Sequence, residues 1–170
     1  MNKLELLPNE IWFLIFDYLS SFDQFKAFFD IKNKRIEQIL TTRSFILNTM
    51  FTSHAQMNDM LTMPYFFTLI NTLIMSDSCA SVAFYGYLEK IPSFLQFFPS
   101  IQRLIVTKTE HYYLDLVSKL IKPLAFSNIL QYLHLTFEKP DDSAYMSVFI
   151  QLAKSEISIP TMILEVRKGK

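Results

Sequence analysis

Residues 101–106 read IQRLIV, and the same spacing, apolar-x-x-apolar-x-apolar, returns in INTLIM (70–75), LQYLHL (130–135) and IPTMIL (159–164). The four starts lie 31, 29 and 29 residues apart, a near-regular period of the kind that marks a stacked repeat. Each segment predicts a short strand with its recurring apolar positions turned to one side. Between them lie YLEKIPSFLQFF (87–98), with a helix starting near Pro92, and then YYLDLVSKLI (112–121) and SAYMSVFIQLAK (143–154). These carry apolar residues at helical spacing. Strand followed by helix, repeated, predicts a parallel sheet in which no unit buries its face alone. The expected fold class is α/β, or α+β over the whole chain once a helical N-terminal end is counted.

The repeated segments resemble the leucine-rich repeat, whose pattern is Leu-x-x-Leu-x-Leu-x-x-Asn-x-Leu. The match runs over roughly residues 68–170 and is degenerate: the asparagine position holds Ser78 in the first unit and Glu138 in the third. An irregular α/β domain with partly coincidental spacing is the alternative. If the resemblance holds, strand side chains facing away from the core line a binding face, and Arg103, Tyr132, His134 and Glu165 are the expected target-binding residues. Phe94, Phe97 and Phe98, on one helical face, read as core.

Upstream, residues 4–40 read LELLPNEIWFLIFDYLSSFDQFKAFFDIKNKRIEQIL. Pro8 suits the first turn of a helix, where its missing N–H has no partner to lose. Ile11, Leu14, Ile15, Tyr18 and Leu19 then form one helical stripe, expected to face the core. Trp12 and Phe16 lie beside it and widen the apolar arc to about 200°, twice what a helix on one core needs. That second stripe is left for the junction or for a partner. Ser21 with Gln24 fits a capping box opening a second helix, and Asn33 is placed to cap a third. Three short helices form a small bundle that leans on whatever follows or binds it.

The run Leu7, Pro8, Glu10, Ile11, Ile15, Phe16, Tyr18, Leu19, Asp23, Phe28, Phe29, Asn33 and Arg35 resembles the F-box, a three-helix module with the pattern Leu-Pro-x-Glu-Ile followed by Ile-Phe-x-Tyr-Leu. The resemblance covers residues 4–43, about a quarter of the chain. It implies docking on a Skp-family adaptor, and through it on a cullin-based ubiquitin ligase. Leu7, Pro8, Ile11, Ile15, Leu19 and Phe25 are the expected adaptor contacts. Gln24 stands where the family carries leucine, and Ile36 where it carries an aromatic residue, which implies a weaker grip. Residues 44–67, with SFILNTMF helical in pattern and SHAQMND a turn or short helix, read as a junction.

Composition sets limits around these readings. Just over half of the 170 residues are hydrophobic and 17 are phenylalanine, which supplies a substantial core and argues against disorder. Lysine plus arginine number 16 against 16 acidic residues, with no run of either sign, so a dedicated nucleic-acid surface is not expected. The single cysteine, Cys79, fits a reducing compartment. IWFLIF is too short and too closely flanked by acids for a signal peptide, and no stretch is long enough to span a bilayer. The chain reads as cytoplasmic or nuclear, with no membrane partner.

Two glycines, Gly86 and Gly169, leave no phosphate-binding loop, dinucleotide fingerprint or nucleophile elbow. His54, His111 and His134 are scattered and show no metal-ligand spacing. A Cys79 and His111 couple stays open, since catalytic partners meet only in the fold. Asp141 and Asp142 after Pro140 read as a turn and helix start, and the basic VRKGK ending as a solvated tail. No catalytic residue, cofactor or metal is expected. The expectation is a non-catalytic substrate receptor of a Skp-cullin-F-box ligase, one end on the adaptor and the other on an unknown target protein. A scaffold that binds the adaptor without supporting ubiquitination, and a small α/β enzyme, are the alternatives.

Overall fold

The computed structural model describes residues 6–29, 31, 33–76, 79–90, 94–109, 121, 129–137, 150 and 159–167. Three helices open it: α1 (Asn9–Asp17), α2 (Ser21–Phe28) and α3 (Lys34–Thr41). Strand β1 (Phe45–Asn48) follows, then α4 (His54–Leu61), α5 (Pro64–Leu69) and β2 (Ile70–Met75). Helices α6 (Cys79–Leu88) and α7 (Phe94–Phe97) precede β3 (Arg103–Thr109), β4 (Tyr132–Phe137) and β5 (Thr161–Val166). The helices expected over 112–121 and 143–154 lie outside the described residues, apart from Ile121 and Ile150, which are helical. Pro92, Asp141, Asp142 and the last three residues also lie outside them.

All five strands are parallel and stand in sequence order, β1-β2-β3-β4-β5. This is the parallel α/β arrangement expected from the spacing. Its inner face is built from two rows in register. Leu47, Leu73, Leu104, Leu133 and Met162 form one, and Met75, Val106, Leu135 and Leu164 the other. From β1 to β4 these residues are buried; at the outermost strand Met162 is 48% exposed.

Two differences from the sequence reading have physical causes. Strands β3, β4 and β5 begin two residues after the quoted segments do, because Ile101, Leu130 and Ile159 sit in the approach to each strand. There Gln102 N–H donates to the Asn71 carbonyl (2.8 Å), Gln131 to Gln102 (2.8 Å) and Thr161 to Gln131 (3.1 Å), so the units are already in register before the ladder starts. The second difference is β1, which lies inside the segment read as a helical junction. Four residues of FILN are too few for periodicity to separate strand from helix. Among the described residues the sheet therefore starts at Phe45 and has five strands rather than four.

Residues 53–59 are resolved in favour of a helix. Ser53 accepts from Gln56 N–H (3.1 Å) while the Gln56 side chain accepts from Ser53 N–H (3.0 Å), which closes a capping box on α4. Pro64 opens α5 at its first turn. Asn33 caps α3 as expected, its Oδ1 accepting from the Arg35 and Ile36 amides. The cap of α2 is Ser20 rather than Ser21, with its hydroxyl taking the Asp23 amide at 3.1 Å.

One buried cluster runs from Trp12 in α1 to Phe137 in β4. Its bridge is Phe66, whose ring meets Phe22 (5.5 Å) and Phe25 (5.2 Å) of α2, Phe45 of β1 (6.3 Å) and Phe67 (5.7 Å). Phe67 in turn touches Phe84, Phe97 and Phe98, which places Phe97 and Phe98 in the core as read. The N-terminal helices and the sheet thus share their interior.

Candidate functional site

The first candidate surface is α1. Trp12 and Phe16 are fully buried, and their rings meet Phe28 at 5.4 and 5.3 Å. The sequence reading had these two left over for a junction or partner; the structure reverses the faces. Both stripes satisfy the helical period, and the one carrying the larger rings went inside, where it buries more apolar area. Trp12 Nε1 finds no acceptor among the described residues, so ring contact rather than hydrogen bonding places it. The outward stripe is Ile11 (39% exposed), Leu14 (55%) and Tyr18 (89%), with Phe13 also exposed.

α1 is gripped at both ends from elsewhere in the chain. At its start, Arg35 Nη2 donates to the Leu7 carbonyl (2.7 Å) and to Asn9 Oδ1 (2.6 Å), and Nε to Asn9 Oδ1 (3.0 Å). At its end, buried Gln24 donates to the carbonyls of Phe16 (2.8 Å), which also accepts the Leu19 N–H (3.1 Å), and of Leu19 (2.9 Å), just past the helix. Arg43 pairs with Asp17, donates to the Phe13 carbonyl (3.2 Å) and lies 5.7 Å over the Phe16 ring. A cation there complements the negative end of the helix dipole.

Of the six expected adaptor contacts, Leu7, Pro8, Ile11 and Ile15 lie on or beside the open face of α1, with Pro8 one residue ahead of the helix as its N-cap. Leu19 is half-buried and lines a separate cleft. Phe25 is a correction: it is 5% exposed and stacked on Phe29 at 4.4 Å, so its side chain belongs to the core and offers no surface. Leu14 and Tyr18 were assigned inward and are the exposed members that the sequence reading missed. The helical period alone could not say which of two apolar stripes Phe28 would cover.

The cleft holding Leu19 has a volume of about 370 Å³ and lies between the end of α1, the start of α2 and β1. Ser20, Ser21, Arg43, Ile46, Phe51 and Gln56 also line it. Here Ser21 Oγ accepts the Ile46 amide at 3.0 Å, which occupies an N–H of the edge strand.

The second candidate surface is the outer face of the sheet, and it brings the four expected target residues together. In register, Thr72, Arg103, Tyr132 and Thr161 form one row and Ile74, Ile105, His134 and Ile163 the next. The Arg103 guanidinium lies 4.7 Å over the Tyr132 ring, and that ring meets His134 edge-on at 6.5 Å. His134 Nε2 is 3.5 Å from Glu165 Oε2, and Arg167 donates to both Glu165 oxygens (3.1 and 3.3 Å). Hydrogen bonding from Arg167 holds the Glu165 carboxyl below its ordinary value against a smaller desolvation, with help from the Arg167 charge and from His134.

His54 meets Asn58 at 3.2 Å, and His111 lies outside the described residues. Among the described residues, no three His, Cys, Asp or Glu side chains gather as a metal site, and no helix is long and apolar enough to cross a membrane. No protein-family model, no curated protein and no solved structure matches the chain.

Proposed function

We propose that the chain is a non-catalytic docking protein: α1 engages a Skp-family adaptor as an F-box does, and the outer face of the sheet receives a target protein. The observation carrying this reading is the exposed apolar stripe of α1. Ile11, Leu14 and Tyr18 are exposed on α1 and its C-cap, Pro8 is exposed just ahead of it, and Leu7 and Ile15 flank them half-buried against the core; the other side of the helix is filled and its ends are clamped, so the surface is preorganised. Burying an exposed aliphatic or aromatic side chain stabilises by roughly 1.5–3 kcal/mol, so three such anchors support a complex after association costs. Phe25 is not part of this surface. In a ligase the chain works as a substrate receptor in the cytoplasm or nucleus.

The test is co-purification with the adaptor. Leu7→Ala with Pro8→Ala, and separately Ile11→Asp with Leu14→Asp, are expected to abolish recovery; the second pair, at exposed positions, leaves the thermal midpoint nearly unchanged, whereas Leu7→Ala lowers it because Leu7 packs on the core. Equal recovery of these variants and the parent removes the reading. Cullin in the same complex marks a ligase receptor; its reproducible absence marks a scaffold bound to the adaptor alone.

A further inference from the structure

The charges on the outer face of the sheet are not balanced alike. Glu165 is answered on both oxygens by Arg167 and on one side by His134. Arg103 is exposed, its guanidinium lies over the Tyr132 ring at 4.7 Å from the centroid, and it has no carboxylate partner among the described residues. Its own row offers Ile46, Thr72, Tyr132 and Thr161, and the next row Asn48, Ile74, Ile105, His134 and Ile163, with no acid in either. A guanidinium held on a ring has already lost much rotamer freedom, yet keeps its planar fork of donors for a bidentate acceptor. Beside it, Ile74 and Ile105 are adjacent and half-buried, which makes an aliphatic shelf one row away, bounded by His134.

We propose that this face binds an extended acidic segment of a partner protein, with a carboxylate seated on Arg103 and an aliphatic side chain on the shelf of Ile74 and Ile105. The inference rests on the outer face being the target surface. Two rows on one face of a sheet are about 7 Å apart, and so are side chains two residues apart on an extended peptide running along the strands. The recognised pattern is therefore an acidic and an aliphatic residue separated by one. A carboxylate fits the flat fork, and the apolar row excludes water from one side of it.

Short fluorescein-labelled peptides centred on Glu-Thr-Leu, Gln-Thr-Leu and Glu-Thr-Ser, titrated against the full chain without adaptor, test this. Glu-Thr-Leu is expected to bind about tenfold tighter than Gln-Thr-Leu, since a hydrogen bond to a charged group is worth at least one such factor. Arg103→Gln, an exposed change, erases that preference while leaving circular dichroism and melting unchanged, and Ile105→Ser erases the preference for Leu over Ser. Equal binding of the three peptides overturns the proposal, as does a Glu preference that survives Arg103→Gln. A phosphoserine peptide binding more tightly than the Glu peptide overturns the carboxylate assignment. Because no adaptor is present, failure here leaves the docking of α1 standing, and failure of adaptor recovery leaves peptide binding to be read on its own.

Discussion

Around α1, three side chains reach across 8 to 30 positions of sequence to grip one helix by its backbone: Gln24 and Arg43 at its end and Arg35 at its start. In the sheet, by contrast, each strand is held by the same main-chain ladder and by the same two rows of aliphatic side chains. The helical end depends on a few individual bonds, each unlike the others. The sheet depends on many equivalent ones, and its inner row stays buried from β1 to β4 and opens only at β5.

The largest effect is expected where the two kinds of region meet. Phe66→Ala removes the ring shared by α2, β1 and α5, and is expected to cost about 3–5 kcal/mol in urea denaturation. Trp12, the one tryptophan, reports on the helical end, while far-UV circular dichroism reports on the whole. The two transitions should coincide in the parent protein; if they separate there, the shared core does not couple the regions.

Next comes the contrast within the sheet. Leu104→Ala, at a fully buried central position, is expected to destabilise by about 2–5 kcal/mol. Met162→Ala occupies the same row at the outer strand and should cost less than about 1 kcal/mol. Similar losses at both positions would show that the outer strand is covered as well as the centre is.

A smaller change probes the clamp. Gln24→Leu fills the same space but takes the amide donor from the Leu19 carbonyl and leaves the Phe16 carbonyl only the Leu19 N–H, at a cost of about 1–3 kcal/mol. Faster amide exchange confined to the end of α1 and the start of α2 would show that the loss is local. The smallest effect is a pH dependence. The folded-state pKa of Glu165 is depressed, so its contribution is present above the unfolded carboxyl range and is lost as pH falls through the depressed value. Parent and Glu165→Gln melting temperatures should therefore converge in acid. A gap that persists there would mean that lost packing, not charge, separates them.

The two regions also differ in how much of them could be read from residues alone. INTLIM matches β2 residue for residue, because a pattern recurring four times fixes which positions face inward. Arg103, Tyr132, His134 and Glu165 were legible as outward residues by the same alternation; their mutual contacts were not, since those depend on register between strands. In α1 two apolar stripes fit one period, and the choice was made by Phe28, a residue 12 positions beyond Phe16. Ser20 and Ser21 are adjacent and chemically alike, so the true cap was settled by what else needed a partner: Ser21 serves the Ile46 amide and Gln24 serves α1.

The strand order has a kinetic consequence. Every pairing in the sheet joins strands that are neighbours in the chain, at separations of 25 to 26 residues between β1 and β2 and of 28 to 31 thereafter. Closing a loop twice as long adds only about 0.6 kcal/mol, so these four closures are nearly equal in entropy. No strand has to wait for a distant segment before it can dock. Folding can advance one unit at a time along the sheet. A parallel sheet, usually slow to assemble because its pairings are remote, is here reduced to a succession of short steps.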